Sequence, residues 1–342
     1  MIVPPFTCPE HNRQILLVER PVGIPQPEHF RLSETRRGLP QDGQILVRNL
    51  YLSVDPAQRG WAADVQNYSA TVALNSVMRA LGVGVVIESR LPSICPGDIV
   101  YGWTGWQDYC CLDASGVLTH VRDPDIAVSS YAGILGINGM TAWLALERLG
   151  RPKTGETVLV STAAGAVGSV VGQLARAEGC RTLGITGSDD KAALCVGRFG
   201  YDVAFNYKAP GWLDELDAAA PHGIDIFFDS VGGEILDSAI RRMRTAGRIV
   251  QCGTASIASW DPPPAGLRNE REVLSRRLSW NGFVIFDHGA DFPAAITRLE
   301  ALIRNGRLVY DEDVDNGIEA APDALRRLYA GENTGKKLIF IG

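Results

Sequence analysis

The chain of 342 residues has no Cys-x-x-C spacing, and its seven cysteines (Cys8, Cys95, Cys110, Cys111, Cys180, Cys195 and Cys252) are odd in number. That pattern indicates neither a disulfide framework nor a zinc knuckle, and a reducing cytoplasm suits it best. A basic surplus is missing too, since 33 Lys and Arg face 39 Asp and Glu for a formal charge of −6. Nucleic acids and anionic membranes attract a basic field, so neither is an expected partner. The densest basic group, Arg268, Arg271, Arg276 and Arg277, is interrupted by Glu270 and Glu272 and reads as a solvated helix face. Long uninterrupted apolar runs are also lacking. Residues 126–146 and 157–175 carry no charge, but glycines and Asn138 break the first, and Ser161, Thr162 and Gln173 the second. Both read as internal elements, not membrane spans. The opening Met-Ile-Val-Pro-Pro lacks the basic and apolar regions of a secretion signal. There is no internal repeat.

What the sequence does hold is an ordinary globular composition, 46% hydrophobic and 21% charged, over a length that suits two domains. Up to about residue 125, short runs such as 44–47, 82–87 and 98–102 are punctuated by Gly, Pro and Asp. These read as strands of an antiparallel, barrel-like domain. From about Ser129, helical patterns alternate with strands that begin near Val158, Thr182, Val203, Ile224, Ile249 and Leu278. That alternation predicts an α/β Rossmann fold with a doubly wound parallel sheet. A helical stretch follows over 292–305, and the tail 308–342 reads as strands and turns that close back on the first domain. The expected division is 1–127 with 309–342, and 128–308.

The strongest functional signal spans 158–168, where an apolar strand runs through Ser161, Thr162, Ala163, Ala164, Gly165, Ala166, Val167 and Gly168 into a helical pattern. Val167, Val170, Val171, Leu174 and Ala175 form one apolar stripe, and Gly179 ends it. A small-residue turn opening a helix presents backbone N–H groups and a positive dipole end to an anion, as dinucleotide sites do. The fingerprint G-x-G-x-x-G maps onto Ala163, Gly165 and Gly168, its first glycine replaced by alanine. The competing reading is a strand-to-helix packing turn.

About twenty residues on, a ribose-binding acid would signal NAD, but the second strand ends at Thr186-Gly187-Ser188, with Lys191 three residues later. Small neutral residues with a nearby cation favour NADP, although Asp189 or Asp190 could instead be the ribose acid. Two later strand exits, Asp229-Ser230-Val231-Gly232-Gly233 and Gln251-Cys252-Gly253-Thr254, fall where a doubly wound sheet presents ligand.

Taken in order, Tyr51-Leu52-Ser53-Val54-Asp55-Pro56, Gly102-Trp103-Thr104-Gly105-Trp106, Thr141-Ala142-Trp143, the glycine turn, Gly187-Ser188 with Lys191, Asn206-Tyr207-Lys208, Phe228 to Gly233 and Gly331 to Lys336 resemble the zinc-independent medium-chain reductases. The chain is similar to their prostaglandin reductase, alkenal double-bond reductase and curcumin reductase group from about Leu16 to its end. The resemblance implies a Rossmann domain joined to a GroES-like β-barrel domain, NADP(H) as cofactor and a homodimer paired through the 278–285 edge strand. It implies that Ala163, Gly165, Ala166, Val167 and Gly168 hold the pyrophosphate, and that Gly187, Ser188, Lys191 and Tyr207 serve the 2′-phosphate end. Ser230, Cys252, Gly253, Phe283 and Asn333 would lie along the cofactor, with Cys252 a wall residue and not a nucleophile. No metal is expected: the five histidines are scattered, and Gly82-Val83-Gly84 stands where zinc-dependent relatives keep Gly-His-Glu.

Without a Lewis acid, an attractive hydride acceptor is an alkene conjugated to a carbonyl, because the charge delocalises into an enolate that a neutral phenol can meet. The expected activity is therefore NADPH-dependent reduction of enones and enals. Tyr51 is the first candidate donor, its alternative being a buried strand aromatic. Tyr68, Trp103, Trp106 and Trp260 are candidate substrate residues, the tryptophans equally readable as core. Relatives commonly carry Tyr-Asn where this chain has Ala258-Ser259, and Ser230 replaces their usual Asn. Two other readings stay open: a quinone or other NADP-dependent oxidoreductase on this scaffold, and a catalytically silent NADPH-binding protein.

Overall fold

The structure, a computed structural model, describes residues 3–65, 67–123, 125–257, 262 and 264–342. Trp260 and the neighbouring Ala258 and Ser259 lie outside the described residues. The chain divides into two compact units, Met1–Gly136 with Glu312–Gly342, and Ile137–Asp311.

The first unit is built on a sheet ordered Glu312–Asn316, Lys336–Phe340, Gln44–Ser53, Gly82–Ser89, Ile99–Gly102 and Val117–Val121, with Tyr109–Asp113 also pairing to Gln44–Ser53. Pairing is antiparallel except between Glu312–Asn316 and Lys336–Phe340. Gln44–Ser53 is buried along almost its whole length because it serves three partners. Register shifts at Leu46/Val47 and Asn49/Tyr51 bend it from one partner to the next. Ile45, Val47, Val86, Val100 and Leu112 fill the interior. A small sheet of Phe30–Arg36, His11–Leu17 and Ser76–Val77 accompanies it. The tail departs from the strand-and-turn expectation by including the helix Ala321–Ala330. Pro322 opens this helix, Ala324 and Leu325 are buried, and Gly331 ends it at φ 70°. Ala321, Pro322, Ala324 and Leu325 face inward while Asp323, Arg326 and Arg327 do not, an amphipathic pattern that runs against the strand-and-turn expectation.

The second unit is a six-stranded parallel sheet ordered Val203–Asn206, Arg181–Thr186, Thr157–Ser161, Ile224–Asp229, Met243–Gln251 and Ser279–Gly282. Counted along the chain this is the order 3-2-1-4-5-6, the doubly wound arrangement. Its strand order reverses between Thr157–Ser161 and Ile224–Asp229, which opens a crevice beyond their carboxyl ends. Leu159, Leu183, Ile185, Phe227 and Ile249 form the core with Leu236 and Ile240 of the helix Gly233–Ile240. The helix after the glycine turn spans Gly168–Ala177, and Gly179 follows at φ 80°. The 292–305 pattern is the helix Phe292–Arg304.

Candidate functional site

The glycine turn lies at the carboxyl end of Thr157–Ser161, beside the reversal point. Thr162 adopts φ 49°, a left-handed conformation unfavourable for a β-branched residue, and its carbonyl accepts the Gly165 N–H at 2.8 Å. That strain folds the chain tightly enough for the helix to start against the strand end. A Cβ on Gly168 would sit 2.3 Å from the Thr162 oxygen, and one on Gly165 3.1 Å from the same atom. Glycine is therefore required at 168 for close approach. Ala163, in place of the first glycine, is accommodated by the adjacent strand: a Cβ on Gly184 would lie 2.8 Å from the Ala163 methyl. Tyr201 closes the other side. Its hydroxyl donates to the Gly168 carbonyl at 2.6 Å, and its ring occupies the space left by Gly172. No side chain caps the helix at Val167, so first-turn N–H groups near Ala166, Val167 and Gly168 remain for an anion.

One strand over, Gly187 and Ser188 follow Arg181–Thr186, and Ser188 is the N-cap of the helix Asp189–Gly197, accepting the Lys191 N–H at 3.3 Å. Asp189 accepts from Asn206 Nδ2 at 2.9 Å. The adjacent strand Val203–Asn206 delivers Tyr207 and Lys208 to the same place. A Cβ on Gly187 would meet Tyr207 Cε1 at 3.5 Å and Lys208 Nζ at 3.7 Å, and that ammonium lies 5.8 Å from the Tyr207 ring centroid. Gly187, Ser188, Tyr207 and Lys208 thus converge, with Lys191 on the first turn behind Ser188. The nearness of Lys208 to Gly187 arises from the pairing of Thr186 with Asn206 across parallel strands, a signal that no local sequence pattern carries.

At the reversal point Asp229 is fully buried and accepts from Ser161 Oγ at 2.7 Å, the Val231 and Gly232 N–H groups at 2.9 Å each, and Gln251 Nε2 at 2.8 Å. Burial raises its pKa, and these donors oppose the rise. The Ser230 N–H donates to Ser161 Oγ at 2.9 Å, so the two strands that flank the crevice are tied together. The Cys252 N–H donates to the Asp229 carbonyl at 2.7 Å. Burial, then the Asp229 charge, pushes the Cys252 thiol up, which leaves it without thiolate character at neutral pH. A Cβ on Gly253 would lie 2.8 Å from the Ser230 oxygen. The Phe283 N–H donates to the Gln251 carbonyl at 2.9 Å, and its ring stacks on His288 with centroids 4.6 Å apart.

In the first unit Tyr51 is partly exposed, paired with Phe340 across the sheet and with ring centroids 5.0 Å apart. Burial raises its pKa above 10.0, and the Glu312 charge adds to the rise. Nearby Asp55 is ion-paired at 2.9 Å with buried Lys336, which also donates to the Val54 carbonyl at 2.7 Å. Trp103 is partly buried and meets fully buried Trp61 edge-on at 5.5 Å. Tyr68 is 53% exposed. Trp106 goes elsewhere: it is fully buried against Phe30 at 5.4 Å and presents no surface, the core alternative for this residue. Asn333 donates to the Gly335 carbonyl at 2.9 Å in the turn before Lys336–Phe340. Among the described residues no group of three His, Cys, Asp or Glu could hold a metal ion. Nor is any helix long and apolar enough to cross a membrane.

Residues 13–120 match a family model described as the N-terminal domain of oxidoreductase, and residues 166–301 match one described as zinc-binding dehydrogenase. The chain is 37% identical over 338 residues to a 2-alkenal reductase (NADP(+)-dependent) of Nicotiana tabacum, covering 96% of this chain and 97% of that one. It is 36% identical over 335 residues to an NADPH-dependent curcumin reductase of Escherichia coli, with 96% and 97% covered. The solved structure of CurA in complex with NADPH from Vibrio vulnificus superposes with a TM-score of 0.90 at 33% identity, over 96% of this chain and 99% of that one.

Proposed function

The chain belongs to the medium-chain dehydrogenase/reductase family, in the group of alkenal, curcumin and prostaglandin reductases, and from that premise we propose that it is an NADPH-dependent reductase of carbon–carbon double bonds conjugated to a carbonyl. The 128–308 region is the cofactor domain in this reading, and 1–127 with 309–342 the substrate domain. The carrying observation is that the Gly168 cradle and the platform of Gly187, Ser188, Tyr207 and Lys208 lie together at the carboxyl ends of neighbouring parallel strands, while Asp189 is engaged by Asn206. Residues of this kind fit a dinucleotide that bears a 2′-phosphate: bare backbone for the pyrophosphate and cations for the extra charge. Bound NADPH supplies a hydride.

Ala163, Gly165, Ala166, Val167 and Gly168 hold the pyrophosphate, and Gly187, Ser188, Lys191 and Tyr207 receive the 2′-phosphate. Ser230, Cys252, Gly253, Phe283 and Asn333 line the rest of the cofactor. Tyr51 keeps its proton at neutral pH and donates a hydrogen bond to the substrate carbonyl oxygen as negative charge develops there. Tyr68 and Trp103 contribute apolar substrate contacts. A homodimer is supported by the edge position of Ser279–Gly282, where Trp280 is 46% exposed beside exposed Leu267 and Leu274. Light scattering at twice the chain mass is the expected result. The seven cysteines, all free, suit a reducing cytoplasm. Steady-state NADPH oxidation with a panel of enones, alkenals and quinones tests the reading. Turnover of enones and alkenals is expected, whereas turnover of quinones alone would replace it, and tight NADPH binding without turnover would mark a silent binder.

A further inference from the structure

Arg79 follows the short strand Ser76–Val77 and precedes Gly82–Ser89. Its guanidinium carbon lies 5.7 Å from the Trp61 ring centroid, and Trp61 meets Trp103 edge-on. One terminal nitrogen, Nη1, donates to Ser69 Oγ and to the Ala70 carbonyl, both at 2.7 Å, directly after Tyr68. Those two bonds use both protons of Nη1. The Nε proton and the two on Nη2 have no acceptor among the described residues, and no carboxylate there pairs with this side chain. Asp55, whose charge acts on the Tyr68 hydroxyl, is engaged by Lys336 and Ser53. Burial lowers the Arg79 pKa, with no opposing contribution from an acidic neighbour. Arg79 is half-buried, and none of its nitrogens is among the buried atoms without a partner, so these N–H groups are open to solvent and to a ligand.

The register also fixes where this cation stands. Leu52 pairs with Gly82, Gly82 with Gly102, and Tyr51 with Val83. Arg79 and Trp103 therefore leave the sheet at the end that carries Tyr51. A guanidinium with unused donors, an aromatic floor and the candidate enone donor belong to one end of one sheet.

We propose that Arg79 binds a carboxylate on the substrate, so that the enzyme prefers unsaturated carbonyl compounds carrying an acidic tail over their neutral counterparts. The inference rests on the double-bond reductase reading for its substrate, but not for its binding step. A planar guanidinium offers paired N–H groups that match a carboxylate, and the Trp61 ring holds its plane.

The test compares 9-oxonon-7-enoic acid with its methyl ester in steady-state NADPH oxidation, and octanoate with octanamide in calorimetric binding. The native enzyme should favour the acid in kcat/KM by roughly tenfold, chiefly through KM, and bind octanoate by a similar margin over octanamide. Arg79→Gln should remove both preferences, Arg79→Lys should keep part of them, and Ser69→Ala, which loosens the loop but leaves the cation, should keep them. Equal binding of octanoate and octanamide by the native enzyme overturns the proposal, as does an acid preference that survives in Arg79→Gln. An Arg79→Gln enzyme that loses acid and ester turnover in equal measure, with the preference intact, assigns the side chain to propping the loop only. If neither enal is reduced, the reductase reading fails, and the octanoate titration still decides the role of Arg79.

Discussion

Protons and charges at single residues govern the proposed chemistry. Tyr51 has its pKa raised above 10.0 by burial and by Glu312, so it remains a donor through neutral and mildly alkaline solution. Activity that depends on it should hold from pH 6 to 9 and decline only above about pH 10. Tyr51→Phe should lower kcat by roughly a hundredfold with little change in KM and abolish that alkaline limb, as a pH profile of kcat would show. At the proposed 2′-phosphate platform, Lys208→Met should weaken NADPH binding by about tenfold and leave NADH binding unchanged, read by fluorescence titration. The place of Lys191 behind Ser188 was legible because an N-cap and a first-turn lysine are local in sequence. Lys208 was not, since only the pairing of Thr186 with Asn206 across parallel strands brings it to Gly187. Trp103 and Trp106 look alike in sequence, yet one meets the Trp61 edge and the other fills the core against Phe30.

The glycine turn is the critical element. Its strand, turn and helix were readable because a close backbone approach permits few residue types, and the structure shows Gly168 to be the tightest point. Gly168→Ala places a methyl against the Thr162 oxygen and should cost about 1–3 kcal/mol in urea unfolding, together with most of the NADPH affinity. Tyr201, which the sequence did not single out, braces the same helix from a residue 33 positions away. Its pKa is pushed well above 10.0 by burial. Between pH 10 and that higher value the unfolded chain releases a proton that the folded chain retains, so stability declines as pH rises. Tyr201→Phe should lose about 1 kcal/mol near neutrality and show a shallower decline above pH 10, measured by denaturant midpoints across pH. The helix Ala321–Ala330 carries a clear amphipathic pattern, with Ala321, Ala324 and Leu325 inward and Asp323, Arg326 and Arg327 outward, but it is short and lies between two strands, and the tail reads as strand and turn throughout.

At the scale of the whole molecule, the change from alternating strand patterns to helix–strand repeats revealed two architectures, and both are present. Strand order was not legible, since it depends on pairings between distant segments: Lys336–Phe340 sits between Glu312–Asn316 and Gln44–Ser53. A cofactor that binds only the folded chain stabilises it by mass action. NADPH at a hundred times its Kd should add about 2.7 kcal/mol and raise Tm, and NADH at the same concentration should add less. The central claim is hydride delivery to an activated double bond. It is tested most directly by incubating the enzyme with 4-deuterated NADPH of each C4 configuration and an enal, and locating the label by mass spectrometry and NMR. A saturated aldehyde with deuterium at the β-carbon is expected from one of the two cofactors. An allylic alcohol with deuterium at the carbonyl carbon would contradict it.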